Sequence, residues 1–196
     1  MAIRESTRTR LLDAADELLF TRGVASTPVD AVLERAGVSP ATLYRAYGSK
    51  DGLVAAALDR RHREWLEVWD DAIARAPDDR SRLLALFDAL EAFQARPTGA
   101  RWCAFLGTAA EYADPPPALA AAIRQDTDSL RERLETLAEP VVGGRATAVA
   151  DALALIASGQ LAMRLRDGSA VGVGVARAVA ESVVSDATRA ASSSRP

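Results

Sequence analysis

The sequence has one cysteine, one histidine and one lysine among its 196 residues. A lone Cys103 has no partner for an internal disulfide, and Cys103 with His62 cannot supply the ligand set of a structural zinc site. The default setting is therefore reduced and cytoplasmic, with no bound metal. The same scarcity narrows the chemistry. Cys103 and His62 are the only thiol and imidazole, and nothing in the sequence positions them together as nucleophile and base, so no enzyme is expected. His62 stands between Arg61 and Arg63 and reads as part of a solvated face. Cys103 reads either as a small buried apolar residue or as a redox-sensing thiol.

Aromatic residues make up only 5% of the chain, and β-branched residues rarely alternate with polar ones. Ala and Leu dominate, which favours helix throughout and an all-α class. Long apolar runs are also absent. The segment MAIRESTRTR lacks the apolar core of a signal peptide, and the most apolar stretch, residues 148–163, is interrupted by Asp151 and Gln160. Neither secretion nor a membrane span is expected. The net charge of -3 excludes a protein that coats nucleic acid over its whole surface. Any DNA contact must be local, and residues 1–50 carry seven basic against six acidic side chains.

What is present is helical periodicity with strong punctuation. From Arg4 to Arg22, Leu11, Leu12, Ala15, Leu18 and Leu19 recur at three- and four-residue spacing and stop near Gly23. Three start signals follow: Thr27-Pro28, Ser39-Pro40 and Ser49-Lys50-Asp51, each a hydroxyl cap before a first turn. The helix from Pro28 places Val29, Val32, Leu33 and Ala36 on one face and meets Gly37. Val38 and Ser39 then separate it from a third short helix, Pro40 to Tyr47. Two short helices joined by a tight turn containing Gly are the requirement of a helix-turn-helix.

Beyond it the pattern predicts helices over about 50–75, 79–95, 101–112, 118–137, 146–166 and 171–190, broken by Pro77, Asp114-Pro115-Pro116-Pro117, Pro140-Val-Val-Gly-Gly and Asp167-Gly168-Ser169. About nine helices result. They divide into a helix-turn-helix domain at 1–52, a larger helical domain at 53–191 and a frayed tail at 192–196. Gly172-Val-Gly174 lacks a preceding strand and a third glycine, so it implies no dinucleotide cofactor.

At Ala36 to Val54 the sequence AGVSPATLYRAYGSKDGLV resembles the DNA-binding pattern of TetR-type transcriptional regulators, and the first 60 or so residues fit that domain in order and spacing. Val32, Tyr47 and Gly52 stand where Ile, Phe and a helix former such as Glu are commoner. The resemblance implies a homodimeric, ligand-responsive regulator, with repression the expected sense, that binds a palindromic duplex-DNA operator and is released by a small-molecule effector of unknown identity. A recognition helix must offer small or polar side chains at its first turn. Ser39, Pro40, Ala41, Thr42 and Arg45 meet that description. Arg45 is expected to read a guanine edge, while Thr27, Thr42, Tyr44 and Lys50 sit where phosphates flank the groove. Tyr47, four residues after Leu43, reads as core rather than contact.

In the larger domain the resemblance implies an effector pocket, for which Trp65, Trp69, Trp102, Phe105 and Tyr112 are candidates, with ordinary core as the other reading. Leu153, Ile156, Gln160 and Met163 on one helix, and Val175 and Val179 on the next, are candidates for a four-helix dimer interface; packing within one subunit is the alternative. A helical small-molecule-binding protein without specific DNA binding is the competing functional reading.

Overall fold

The structure, a computed structural model, describes residues 4–96, 103–167 and 172–193. Among the described residues there are nine α-helices, a single 3-10 turn at Gly143–Arg145 and no strand. The helices are α1 (Glu5–Arg22), α2 (Val29–Ala36), α3 (Pro40–Tyr47), α4 (Lys50–Arg75), α5 (Asp79–Gln94), α6 (Ala104–Glu111), α7 (Pro117–Val142), α8 (Ala146–Asp167) and α9 (Gly174–Ser193). The all-α class expected from composition is the class observed.

Local chemistry explains most boundaries. The end of α2 is a Schellman motif: the Val38 N–H reaches the Leu33 carbonyl and the Gly37 N–H that of Glu34, with Gly37 left-handed at φ 62°. At the start of α4 the Ser49 hydroxyl accepts from the Gly52 N–H at 3.0 Å. The caps of α2 and α3 differ from expectation. Pro28, not Thr27, occupies the N-cap of α2, and Ser39 caps α3 by position while its hydroxyl pairs with that of Thr42 at 2.9 Å. Pro140 does not end α7, which continues to Val142. In the last turn proline removes only the bond its N–H would make to Thr136, and burial of Val142 holds the end in place. The tail expected to fray from 192 is helical through Ser193.

The chain forms two compact units: residues 1–63 with 100–126, and residues 64–99 with 127–196. Each has its own core. In the first unit Leu11, Leu19 and Phe20 of α1 pack with Val32 and Leu33 of α2, Leu43 of α3 and Leu53 and Leu58 of α4. Phe105 and Leu119 join the same cluster. Burial of each such side chain contributes about 1.5–3 kcal/mol. The second core gathers Trp69, Leu83, Leu86, Phe87, Leu134 and Leu153.

The span Pro117–Asp167 is long and apolar enough, by length and composition, to cross a membrane. Within the second unit, its helices α7 and α8 run antiparallel, as the Arg131–Asp151 ion pair and the Thr147–Glu135 hydrogen bond show. Leu134, Ala138, Val149 and Leu153 of this hairpin lie in the core.

Candidate nucleic-acid interface

Leu43 is fully buried and anchors α3 to the first core. Helical geometry then turns the other face outward. Ser39, Pro40, Ala41, Tyr44 and Arg45 are exposed, and Thr42 is half-buried. Tyr44 keeps 50% of its surface accessible. Arg45 makes no ion pair or hydrogen bond among the described residues, so its guanidinium is available to a ligand. Arg10 of α1 adds charge beside the turn: its Nη1 lies 3.5 Å from where a Cβ on Gly37 would stand. Nothing local in the sequence marks Arg10 as a neighbour of this turn.

Two residues expected to flank phosphates face inward instead. Thr27 is buried, and its hydroxyl donates to the carbonyls of Gly23 at 2.7 Å and Leu18 at 3.3 Å. The Lys50 ammonium donates to the Val24 and Thr27 carbonyls, the latter at 2.6 Å. This accounts for the single lysine in a chain otherwise rich in arginine. Two carbonyls that converge on one point suit a compact ammonium with rotatable donors better than a planar fork. Both side chains hold the α1–α2 loop, and so the position of α2.

The same loop is gripped from the end of α6. Glu111 accepts from the backbone N–H of Val24 at 3.1 Å and of Ala25 at 2.5 Å. The adjacent Tyr112 donates its hydroxyl to Asp51 at 2.7 Å, in the first turn of α4. Burial and the Asp51 carboxylate together push the Tyr112 hydroxyl above its ordinary range. Arg60 bridges Asp13 at 2.7 Å and Asp16, which ties α4 to α1. Tyr47 is half-buried against the first core.

Gly52, a departure from the commoner helix former, has a steric reason. A Cβ there would fall 2.0 Å from the Tyr47 carbonyl oxygen, so the last turn of α3 passes against the first turn of α4 at backbone contact.

His62 is corrected from solvated to buried. It is 5% exposed, its Nδ1 is 3.0 Å from Asp126, and its ring meets Phe105 edge-on at 6.2 Å. Cys103, at the N-cap of α6, has its thiol pushed up by burial first and by Asp126 second. That direction is opposite to what a nucleophilic cysteine needs.

The aromatic candidates divide between the units. Phe105 lies in the first core, and Tyr112 serves the contact with Asp51. Trp65 and Trp69 stack at 5.5 Å in the second unit, where Phe93 meets Trp65 edge-on at 5.7 Å and the Arg133 guanidinium lies 5.1 Å over Trp69. Trp102 lies outside the described residues. A cavity of about 490 Å³ in the second unit is lined instead by Glu139, the 142–145 turn, Thr188 and Ser192, and by none of the aromatic candidates.

The dimer candidates divide as well. Leu153 and Gln160 are buried within the unit, and Ile156 packs against its core. Met163, Val175 and Val179 are 44%, 78% and 48% exposed, and Leu155, not anticipated, is 75% exposed. Apolar residues occur on both sides of α8, so periodicity could not say which face was free.

Residues 11–57 match the model of the bacterial regulatory proteins, tetR family. The chain is 37% identical over 90 residues to the HTH-type transcriptional activator FasR of Mycolicibacterium smegmatis, covering 46% of this chain and 40% of FasR. It is 34% identical over 79 residues to the HTH-type transcriptional regulator BetI of Brucella anthropi, covering 40% of this chain and 41% of BetI. These matches therefore span about two fifths of the curated relatives' length. Over nearly the whole chain it superimposes on SCO4454, a TetR-family transcriptional regulator from Streptomyces coelicolor, with a TM-score of 0.80, 25% identity and 96% and 97% of the two chains covered. A TetR-family regulator from Agrobacterium tumefaciens shares the fold at a TM-score of 0.78 and 20% identity, covering 90% and 97%. The first unit thus carries a helix-turn-helix of the regulatory type, and the relatives are named as regulators, not enzymes. Residues 11–57 are thus similar to the DNA-binding region of the bacterial tetR family, and the chain as a whole shares the fold of TetR-family transcriptional regulators.

Proposed function

We propose that the protein is a ligand-responsive transcriptional repressor that binds a palindromic operator as a homodimer and releases it when a small molecule occupies the second unit. The observation that carries this reading is the outward face of α3, where Arg45 and Tyr44 stand free above a buried Leu43. Arg45 reads a base edge in the major groove, and Ser39, Pro40, Ala41 and Thr42 permit close approach of the first turn. Tyr44 and Arg10 contact phosphates, while Lys50 and Thr27 position the loop from inside.

A single helix-turn-helix binds a short site weakly, and two copies reading half-sites about 34–36 Å apart bind a palindrome. The exposed Leu155, Met163, Val175 and Val179 supply an apolar face for the second copy. An effector that binds one spacing of the two heads better than the other shifts the population between them, and operator affinity falls. FasR is named as an activator, so the sense of regulation is tested with a reporter placed behind the selected site.

The first test is selection of binding sites from random duplex DNA, followed by affinity measurement against scrambled DNA. A palindromic site is expected. Arg45→Ala is expected to weaken it by about 5- to 150-fold, or ~1–3 kcal/mol, without changing thermal stability. No enrichment at any salt concentration would overturn the reading in favour of a helical ligand-binding protein without specific DNA recognition.

A further inference from the structure

One end of the second unit holds donors that lack acceptors. The contacts between its helices set their levels. Trp65 of α4 meets Phe93 of α5, and Glu64 pairs with Arg96, so the C-terminal end of α5 lies beside residues 64–65. Arg80 bonds Ser185 and Arg177 pairs with Asp88, so α5 and α9 run antiparallel, and Gln94 falls level with the approach to α9. Gln160 of α8 donates to the Gly172 carbonyl on that same approach. Arg164, one turn further along the same face of α8, stands about 6 Å beyond it.

Arg164 is 8% exposed, makes no ion pair among the described residues, and leaves its buried Nε without an acceptor. The carboxamide nitrogen of Gln94 and the indole N–H of Trp69 also lack acceptors. Buried groups are ordinarily satisfied, and a buried guanidinium is ordinarily paired, because removing it from water is costly. Burial also pulls Arg164 below its usual value, the direction expected of a cation without a counter-charge. All three orphans are donors, and the deepest charge is positive.

We propose that the effector is an amphipathic carboxylate, whose head is bound by Arg164 and whose apolar body lies along Trp65 and Phe93. The planar guanidinium donates two parallel bonds to a carboxylate, and the unsatisfied amide N–H of Gln94, at the same end of the unit, favours an acceptor-only head over an amine. The inference rests on the reading of the second unit as effector-binding.

The test titrates the full chain with 4-phenylbutyrate, 4-phenylbutanamide and 4-phenylbutylamine, which share one apolar body and differ in the head, while following tryptophan fluorescence. The carboxylate is expected to saturate at least tenfold more tightly than the amide and the amine. Arg164→Met is expected to bring the carboxylate down to the level of the amide, and to melt higher than the unsubstituted protein without ligand, because an unpaired buried charge is gone. If Arg164→Met does not fold, Arg164→Lys, which keeps the charge and loses the fork, is expected to weaken the carboxylate about tenfold and leave the amide unchanged. Equal binding of the three heads, no saturation by the carboxylate, or variants that bind it undiminished would overturn the proposal. Operator binding by the same preparation separates the two readings. DNA bound with no head-group preference sinks the carboxylate alone. An Arg164-dependent preference with no operator supports the carboxylate site and sinks the regulator.

Discussion

The two units use their polar side chains in different ways. In the first, Thr27, Lys50 and Glu111 reach backbone groups of residues 18–27, and Tyr112 and Arg60 reach carboxylates on α4 and α1. Loop ends are pinned one by one, while the exposed Tyr44 and Arg45 of α3 make no such contact among the described residues. In the second, charged side chains link helix to helix at the surface, as in Arg177–Asp88, Arg131–Asp151 and Arg133–Asp70, while Trp69, Gln94 and Arg164 stay unsatisfied inside. The side chains left over differ in kind: the neutral hydroxyls of Tyr47 and Thr108 in the first unit, and a set that includes the Arg164 cation in the second.

The sharpest way to break that contrast is to remove a pin. Lys50→Met leaves two part-buried carbonyls without a charged donor, so a loss of about 3 kcal/mol in urea unfolding is expected, with Lys50→Arg an incomplete rescue. The salt dependence of operator binding by whatever fraction folds should keep its slope. A slope reduced by about 1 would mean that Lys50 contacts a phosphate and that the pinned-loop description of the first unit is wrong.

Gly52→Ala probes the same unit at its closest backbone approach. A methyl 2.0 Å from the Tyr47 carbonyl forces α3 and α4 apart, and a cost of about 2 kcal/mol is expected, together with weaker DNA binding because α3 moves. A thermal melt unchanged by the substitution would show that the contact between the helices is looser than described. Glu111→Gln is the milder probe: it keeps one acceptor for the N–H groups of Val24 and Ala25 and loses the charge, so about 1 kcal/mol is expected in the same unfolding measurement. A larger drop in operator affinity than in stability would show that α6 positions the head.

How far the sequence could be read follows the same division. The first unit is written in local signals: Gly37 after the α2 stripe, the Ser49 cap and Leu43 at helical spacing are each decided within a few residues. What escaped depends on distant partners. Whether Lys50 meets a phosphate or a carbonyl is settled by the fold of residues 24–27, and His62 is buried through Asp126, 64 positions away. In the second unit α8 is apolar on more than one side, so the choice between Leu153 inside and Leu155 outside belongs to tertiary packing. Nothing local marks the burial of Arg164, because no periodicity distinguishes a charge held inside from one outside.

The smallest expected effect lies in the second unit, where one polar side chain does behave as those of the first. Asp78 caps α5, and the Ser81 N–H, accepted at 2.7 Å, holds its carboxyl below the ordinary range, with Arg80 and Arg82 acting in the same direction. The folded pKa lies below the unfolded one. The contribution is therefore complete above the unfolded value, near 3.8, and is lost as pH falls through the folded value. The Asp78→Asn variant retains a capping acceptor without the titration. Its urea midpoint should trail that of the parent slightly at pH 6, and the two should converge toward pH 3. Parallel curves over that range would mean that the cap does not titrate with folding, and that the second unit has no pin of the kind that organises the first.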